Sequence, residues 1–243
     1  GATSEDLTGQ SGGTYTVTLS DGNGCTISST FVIAEPSALS VADQITDVVC
    51  FGALNGGIDL TVSGGTLPFT YAWDTGATSE DLAGLSGGTY TVTITDANAC
   101  TTVQTYFVFE PTQLMVSFTQ VDVSCNGLTD GSIDVSVLGG TVPYTYDWNS
   151  GTYTTEDLSG LAAGTYNLVV TDANSCTAIA TVTIIEPSAL GLGGIVVDVS
   201  CNGIQDGSID VSASGGTLPY AYAWNTGATS EDLTGQSGGT YTV

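Results

Sequence analysis

Between residues 112 and 187 the apolar residues fall in short alternating stretches, and no stretch shows helical spacing. Leu114 to Ser124 is rich in Val and Phe and predicts a first strand. Cys125-Asn126-Gly127 and Asp130-Gly131 predict a turn. Ile133, Val135 and Val137 alternate with Asp134 and Ser136, the signature of a half-buried strand. Gly139-Gly140 and Pro143 break it, and Tyr144, Tyr146 and Trp148 then alternate with Thr145 and Asp147. A short strand over Asp157 to Leu161 follows, then Thr165 to Thr171 with Tyr166, Leu168 and Val170 on one face. Asp172 to Ser175 turns the chain, and Cys176 to Ile185 predicts the last strand, with Val182 and Ile184 inward. Six or seven short strands with turn signals every 8–12 residues predict an all-β fold, an antiparallel sandwich of immunoglobulin or fibronectin type III kind. In it Trp148 takes a core position, and Leu161, Gly164 and Tyr166 match a tyrosine corner.

The same pattern recurs. Tryptophan stands at Trp73, Trp148 and Trp224, in steps of 75 and 76 residues. Gly-Thr-Tyr brings Tyr15, Tyr90, Tyr166 and Tyr241 into phase, and one extra residue lies between Gly151 and Glu156. Gly1 to Val17 returns unchanged as Gly227 to Val243, 226 positions on. One unit is therefore about 75 residues, longer than helical-hairpin or leucine-rich repeats. The expected division is two whole beads, 37–111 and 112–187. They are flanked by carboxy-terminal strands at 1–36 and amino-terminal strands at 188–243. Glu35-Pro36, Glu110-Pro111 and Glu186-Pro187 read as short stiff joints. The identical ends predict a window on a longer periodic string, an elongated array in which residue 243 continues as residue 18 does.

Composition narrows the function. The 243 residues include no Lys, Arg or His and 25 Asp plus Glu, for a net charge of −25. Phosphate binding needs cations, so nucleic acid is excluded as a direct partner, as is attraction to an anionic membrane surface. No apolar run approaches the roughly 20 residues that span a bilayer. Catalysis loses its commonest general base and its lysine nucleophiles, so the abundant Ser and Thr have no His or Lys to activate them. Glu156 and Asp157 are neighbours and point to opposite faces of a strand, which leaves them as a solvated edge rather than a glycosidase pair.

Taken together, certain words resemble the SprB-type repeat of Bacteroidetes gliding and cell-surface adhesins. They are Ser124-Cys125-Asn126-Gly127, Asp130-Gly131-Ser132-Ile133, Gly139-Gly140-Thr141, Pro143-Tyr144-Thr145-Tyr146 with Trp148, Gly164-Thr165-Tyr166, Thr171 to Asn174 with Cys176, and Glu186-Pro187. The order recurs from Cys50 and from Cys201, although Phe51 replaces the Asn after Cys50 and Asn55-Gly56 replaces Asp-Gly. The resemblance implies a very large outer-surface protein that is secreted, forms filaments and mediates attachment or gliding. Its partners would be copies of itself and a surface or glycan target. A structural extracellular fibre with lateral chain packing is the alternative.

Six cysteines fall in two phases: Cys50, Cys125 and Cys201 before the second strand, and Cys25, Cys100 and Cys176 at the last. Without His or Cys-x-x-Cys they read as disulfides in a secreted array rather than zinc ligands. Strands of eight residues span about 26 Å, whereas bonded cysteines need Cα atoms about 4.4–6.8 Å apart. Pairing Cys50 with Cys100 inside one bead must cross that length. The first turn of one bead faces the last turn of the next, so the expected staple is Cys50–Cys176. Cys25, Cys100, Cys125 and Cys201 then pair with repeats outside the window. Pairing within a bead is the second alternative and free buried thiols the third. Asp130, Asp172, Asn174 and Asp206 supply the oxygen-only donors that suit calcium, the one candidate cofactor, although Asp and Asn are also ordinary turn formers.

Overall fold

The computed structural model describes residues 3–243. Gly1 and Ala2, which open the repeated segment and the expected 1–36 unit, lie outside the described residues. The chain divides into two compact units, Gly1–Pro111 and Thr112–Val243. Every element among the described residues is a strand or a loop.

In the first unit, β1 (Gly13–Ser20) and β2 (Thr26–Ile33) form an antiparallel hairpin. Six strands follow: β3 (Ser40–Thr46), β4 (Gly56–Ser63), β5 (Thr70–Trp73), β6 (Leu82–Leu85), β7 (Gly88–Thr95) and β8 (Thr101–Val108). They make two three-stranded antiparallel sheets, ordered β3-β4-β6 and β5-β7-β8. Alternation sets the faces: Ile58 and Leu60 of β4 are buried while Asp59 and Thr61 are exposed. Ile58 and Leu60 join Trp73, Val92, Ile94, Tyr106 and Val108 from the other sheet in one core, so the sheets pack face to face. Each fully buried Val or Ile contributes about 1.5–3 kcal/mol relative to exposure.

The second unit repeats the plan. Its strands are β9 (Met115–Val121), β10 (Gly131–Leu138), β11 (Thr145–Trp148), β12 (Leu158–Leu161), β13 (Gly164–Thr171) and β14 (Thr177–Ile184). The sheets are β12-β10-β9 and β11-β13-β14. The core joins Ile133, Val135, Trp148, Leu158, Leu168, Val170, Val182 and Ile184. Val182 and Ile184 point inward and Ile179 outward, as the alternation predicts. β15 (Gly191–Val197), β16 (Gly207–Ser214) and β17 (Leu233–Gln236) form a third sheet, with a smaller core around Val211, Trp224 and Leu233. The first strand is shorter than Leu114–Ser124, because Asp122 and Val123 leave the ladder to bond the end of the partner sheet. Ile185 N–H donates to Asp122 Oδ1 at 3.0 Å and Val123 N–H to Ile185 O at 3.0 Å.

The second glycine pair is a steric requirement. Gly139 has φ +74°, and a Cβ there would lie 1.9 Å from the Gln113 carbonyl oxygen. Only glycine lets the chain turn past that carbonyl. Gly64 and Gly215 occupy the same position in their sheets, 2.0 Å from the Ala38 and Ala189 carbonyls on the same measure.

Candidate functional site

The acidic residues are used internally. Asp172 is 5% exposed, and its carboxylate accepts N–H bonds from Asn174 and Cys176 on Oδ1 and from Thr141 on Oδ2, at 2.8–2.9 Å. Asp96 makes the same three bonds from Asn98, Cys100 and Thr66. Burial pulls the Asp96 carboxyl up, but those N–H donors outweigh it and hold it below its ordinary value. Asp130 accepts from Ser124 N–H and from the Ser124 hydroxyl, and Asp206 does the same with Ser200. These serine bonds, side chain first and backbone second, hold the Asp130 and Asp206 carboxyls below the usual value.

The candidate calcium donors therefore take up turn geometry. Asp130 and Asp172 are tied to opposite ends of β10, Asp130 just before it and Asp172 to Thr141 just after it. An eight-residue strand separates them by about 26 Å. Among the described residues, no three His, Cys, Asp or Glu side chains gather in a group that could hold a metal ion. With these carboxylate oxygens already accepting N–H and O–H bonds, the melting temperature is expected to move by less than about 1 °C between millimolar calcium and excess chelator. A rise of several degrees in calorimetry would contradict this.

Depressed carboxyls make a pH prediction. A charged Asp130 gains its bonds only when ionised, so its contribution is complete above the unfolded value near 3.9 and is lost as pH falls through the lower folded value. The stability gap between the native chain and Asp130→Asn is expected to be constant from pH 7 to about 5 and to close below about pH 4. Urea midpoints across that range check it.

Three sets of acidic side chains also carry structural bonds. Asp157 Oδ1 accepts the Val135 N–H at 2.9 Å, repeated by Asp81 on Leu60 and Asp232 on Val211. Glu156 and Asp157 are both exposed at the edge strand, as the solvated-edge reading expects, and Asp157 in addition accepts this N–H. Each aspartate stands just before its short edge strand, past the last paired position and at the opposite end from the register shift, where the central strand's next N–H would otherwise lack an acceptor. Burial, followed by the Glu156 carboxylate, pushes the Tyr146 phenol up to about 12. Glu110 and Glu186 of the Glu-Pro pairs act as clamps. Glu186 takes Gly127 N–H at 2.7 Å and Asn126 Nδ2 at 3.1 Å, and Glu110 takes Gly52 N–H at 2.6 Å and Gly87 N–H at 3.0 Å. Sequence offered no signal for these pairings except recurrence of the same acid at the same phase.

Trp73, Trp148 and Trp224 are buried, and each indole N–H donates to a carbonyl six or seven residues on. Tyr90 and Tyr166 are buried, and each hydroxyl donates to the carbonyl four residues upstream, at 2.9 Å to Ser86 and 3.0 Å to Ala162. Tyr166→Phe removes one such bond and leaves the ring in place, so a loss of about 1 kcal/mol in urea denaturation is expected.

Cys50 and Cys176 are each disulfide-bonded, whereas Cys25, Cys100, Cys125 and Cys201 carry free, exposed thiols. Tyr106 is buried while Phe107 and Phe109 face outward.

The sheets and their cores define a tandem array of immunoglobulin-like β-sandwiches. The SprB repeat family matches at residues 42–78, 117–153 and 193–229, in phase with the sheets, which is consistent with SprB-type repeats. No curated protein counts as a match in sequence. Among solved structures, the chain is similar to a carboxy-terminal 282-residue fragment of intimin, in complex with the intimin-binding domain of its translocated receptor. The identity is 14% and the TM-score 0.36, over 65% of this chain and 67% of that one. It is also similar to the eight amino-terminal immunoglobulin domains of Down syndrome cell adhesion molecule. There the identity is 12% and the TM-score 0.42, over 88% of this chain and 32% of that one.

Proposed function

We propose that this chain is a non-enzymatic stalk or filament segment of a large cell-surface adhesin, acting in attachment or gliding outside the cell. The observation that carries this reading is the threefold SprB match, in phase with two complete sandwiches and the first sheet of a third repeat. Chemistry agrees with it. No His, Lys or Arg is available to activate a hydroxyl, and the carboxylates are spent on turns and strand ends. The disulfide state of Cys50 and Cys176 fits an oxidising compartment. In this reading the two cysteines staple successive beads, the first turn of bead 37–111 to the last turn of bead 112–187. Antibody raised against the chain should label intact source cells, and deleting its gene should reduce attachment or gliding. Labelling seen only after permeabilisation would overturn the proposal.

The outward Val103 and Phe107 on β8, 58% and 62% exposed, favour a second reading, a fibre whose chains pack side by side. Lateral contacts burying more than about 1,000 Å² between neighbouring chains in the native assembly would favour the fibre. Isolated strings favour the stalk.

A further inference from the structure

Each complete sandwich is tied together where the chain enters and leaves it. In residues 37–111 the chain enters through β3 and leaves through β8, and the two strands belong to different sheets. They run the same way. At one end, a Cβ on Gly65 would lie 2.7 Å from Leu39, just before β3, and 3.0 Å from the carboxylate of Asp96, just ahead of β8. At the other end, Val48 N–H donates to Phe109 O at 2.9 Å, and Phe109 N–H to Asp47 Oδ1 at 2.8 Å. Entry and exit therefore lie at opposite ends of the sandwich, about 26 Å apart for an eight-residue strand. Residues 112–187 repeat this, with Leu114 and Asp172 meeting at Gly140 and Val123 meeting Ile185.

That placement decides what tension does. A pull on the two ends of the sandwich drags β3 toward the entry end and β8 toward the exit end, so the strands shear past each other. Apolar core contacts are non-directional and let strands slide. Hydrogen bonds weaken steeply once their atoms lose alignment. The bonds that join the end of β3 to the end of β8 therefore meet the load first. They lie side by side across the direction of sliding, so they share it.

In residues 37–111 these are the two bonds between Asp47-Val48 and Phe109, with Gly52 N–H to Glu110 Oε1 at 2.6 Å. Residues 112–187 hold the same set. Val123 N–H donates to Ile185 O and Ile185 N–H to Asp122 Oδ1, both at 3.0 Å, and Gly127 N–H to Glu186 Oε2 at 2.7 Å. They add side-chain bonds: Gln120 Nε2 to Thr183 O at 2.9 Å, and Asn126 Nδ2 to Glu186 Oε1 and to Pro187 O, each at 3.1 Å. The first sandwich has Ile45 and Phe51 at the Gln120 and Asn126 positions, and neither side chain can donate. Pro111 and Pro187 bring no N–H, so past each glutamate the leaving chain is held through its acceptors.

We infer that these bonds form a tension clamp. Each sandwich resists being pulled open through the aspartate and glutamate that tie its entering strand to its leaving strand, and the 112–187 sandwich is the stronger of the two. The use of the clamp rests on the stalk reading, in which attachment loads the chain. Its existence does not.

Unfolding of the reduced 243-residue chain at constant force, held by peptide tags at its two ends, tests the clamp. The reductant keeps the proposed staple from carrying the load. A sandwich of about 75 residues lengthens the chain by roughly 250 Å as it opens. Two such steps are expected, the later one from residues 112–187. D122A/E186A should shorten the lifetime of that sandwich about tenfold or more and leave the other unchanged. Q120A/N126A alters two exposed positions whose bonds the first sandwich folds without, and it should bring the two lifetimes to within about threefold. Asp157→Ala separates strength from stability. Asp157 ties β10, not β9 or β14, so its loss should lower the melting temperature while the lifetime under force stays within about twofold. Clamp variants that last as long as Asp157→Ala overturn the inference. Cells whose surface shows no label would overturn the stalk and leave the clamp standing.

Discussion

Trp148→Ala is expected to remove most of the stability of the β9–β14 sandwich while the β3–β8 sandwich melts where it did before. Trp148 is fully buried, and its indole N–H donates to Thr155 O at 3.0 Å. Truncating a buried Trp costs about 3–5 kcal/mol through lost transfer energy and the cavity left behind. Domains commonly hold only about 5–15 kcal/mol in total, with small ones toward the lower end. A change of 1 kcal/mol shifts the melting temperature of a 60–100-residue domain by about 4–8 °C, so one calorimetric transition should fall by at least about 12 °C. The other should hold, because the two cores share no residue. Trp73→Ala should show the converse. A common shift of both transitions would show that the sandwiches melt as one cooperative unit.

How far sequence reaches is set by the range of the interaction. Trp148, Tyr166, Leu168 and Val170 are legible because period-two alternation along a single strand decides which side faces the core. The tyrosine corner is legible because its hydroxyl reaches only four residues back. Asp157 and Glu186 are not. Their partners, Val135 and Gly127, lie 22 and 59 residues away, and nothing local in Glu-Asp-Leu or Glu-Pro announces an acceptor for a distant N–H. The role of the acidic loops is not legible for a related reason. Oxygen donors in turns look alike in sequence whether they face a cation or their own backbone, and the topology puts Asp130 and Asp172 at opposite ends of β10. The extra residue of the second unit shows a short-range case that still needed structure. Asn149 and Ser150 adopt positive φ, and the added length lets Tyr153 bridge back to Trp148, so the insertion is absorbed in one loop and leaves the sheets in register.

Asp172→Ala is the largest polar effect expected. The side chain is nearly buried and replaces a strand: three N–H groups, from Thr141, Asn174 and Cys176, end on it. Removing it leaves donors on two different loops with no acceptor. An unsatisfied buried donor costs about 1–3 kcal/mol, and bonds to a charged acceptor are at the upper end of the net range. Water can reach Asn174 and the outer part of the turn, so the total falls short of three full penalties and lands at about 3 kcal/mol. Asp172→Asn separates the two sides of the carboxylate. With its carbonyl oxygen toward Asn174 and Cys176 it keeps their bonds, and its NH2 then opposes the Thr141 N–H, donor against donor. About half the loss should therefore remain, concentrated at Thr141. Hydrogen exchange resolves this directly. In the alanine variant the Thr141, Asn174 and Cys176 amides should all lose protection, and in the asparagine variant only Thr141 should. If Asp172→Ala costs less than about 0.5 kcal/mol in urea, the turn is held by its backbone alone and the carboxylate is free for another role.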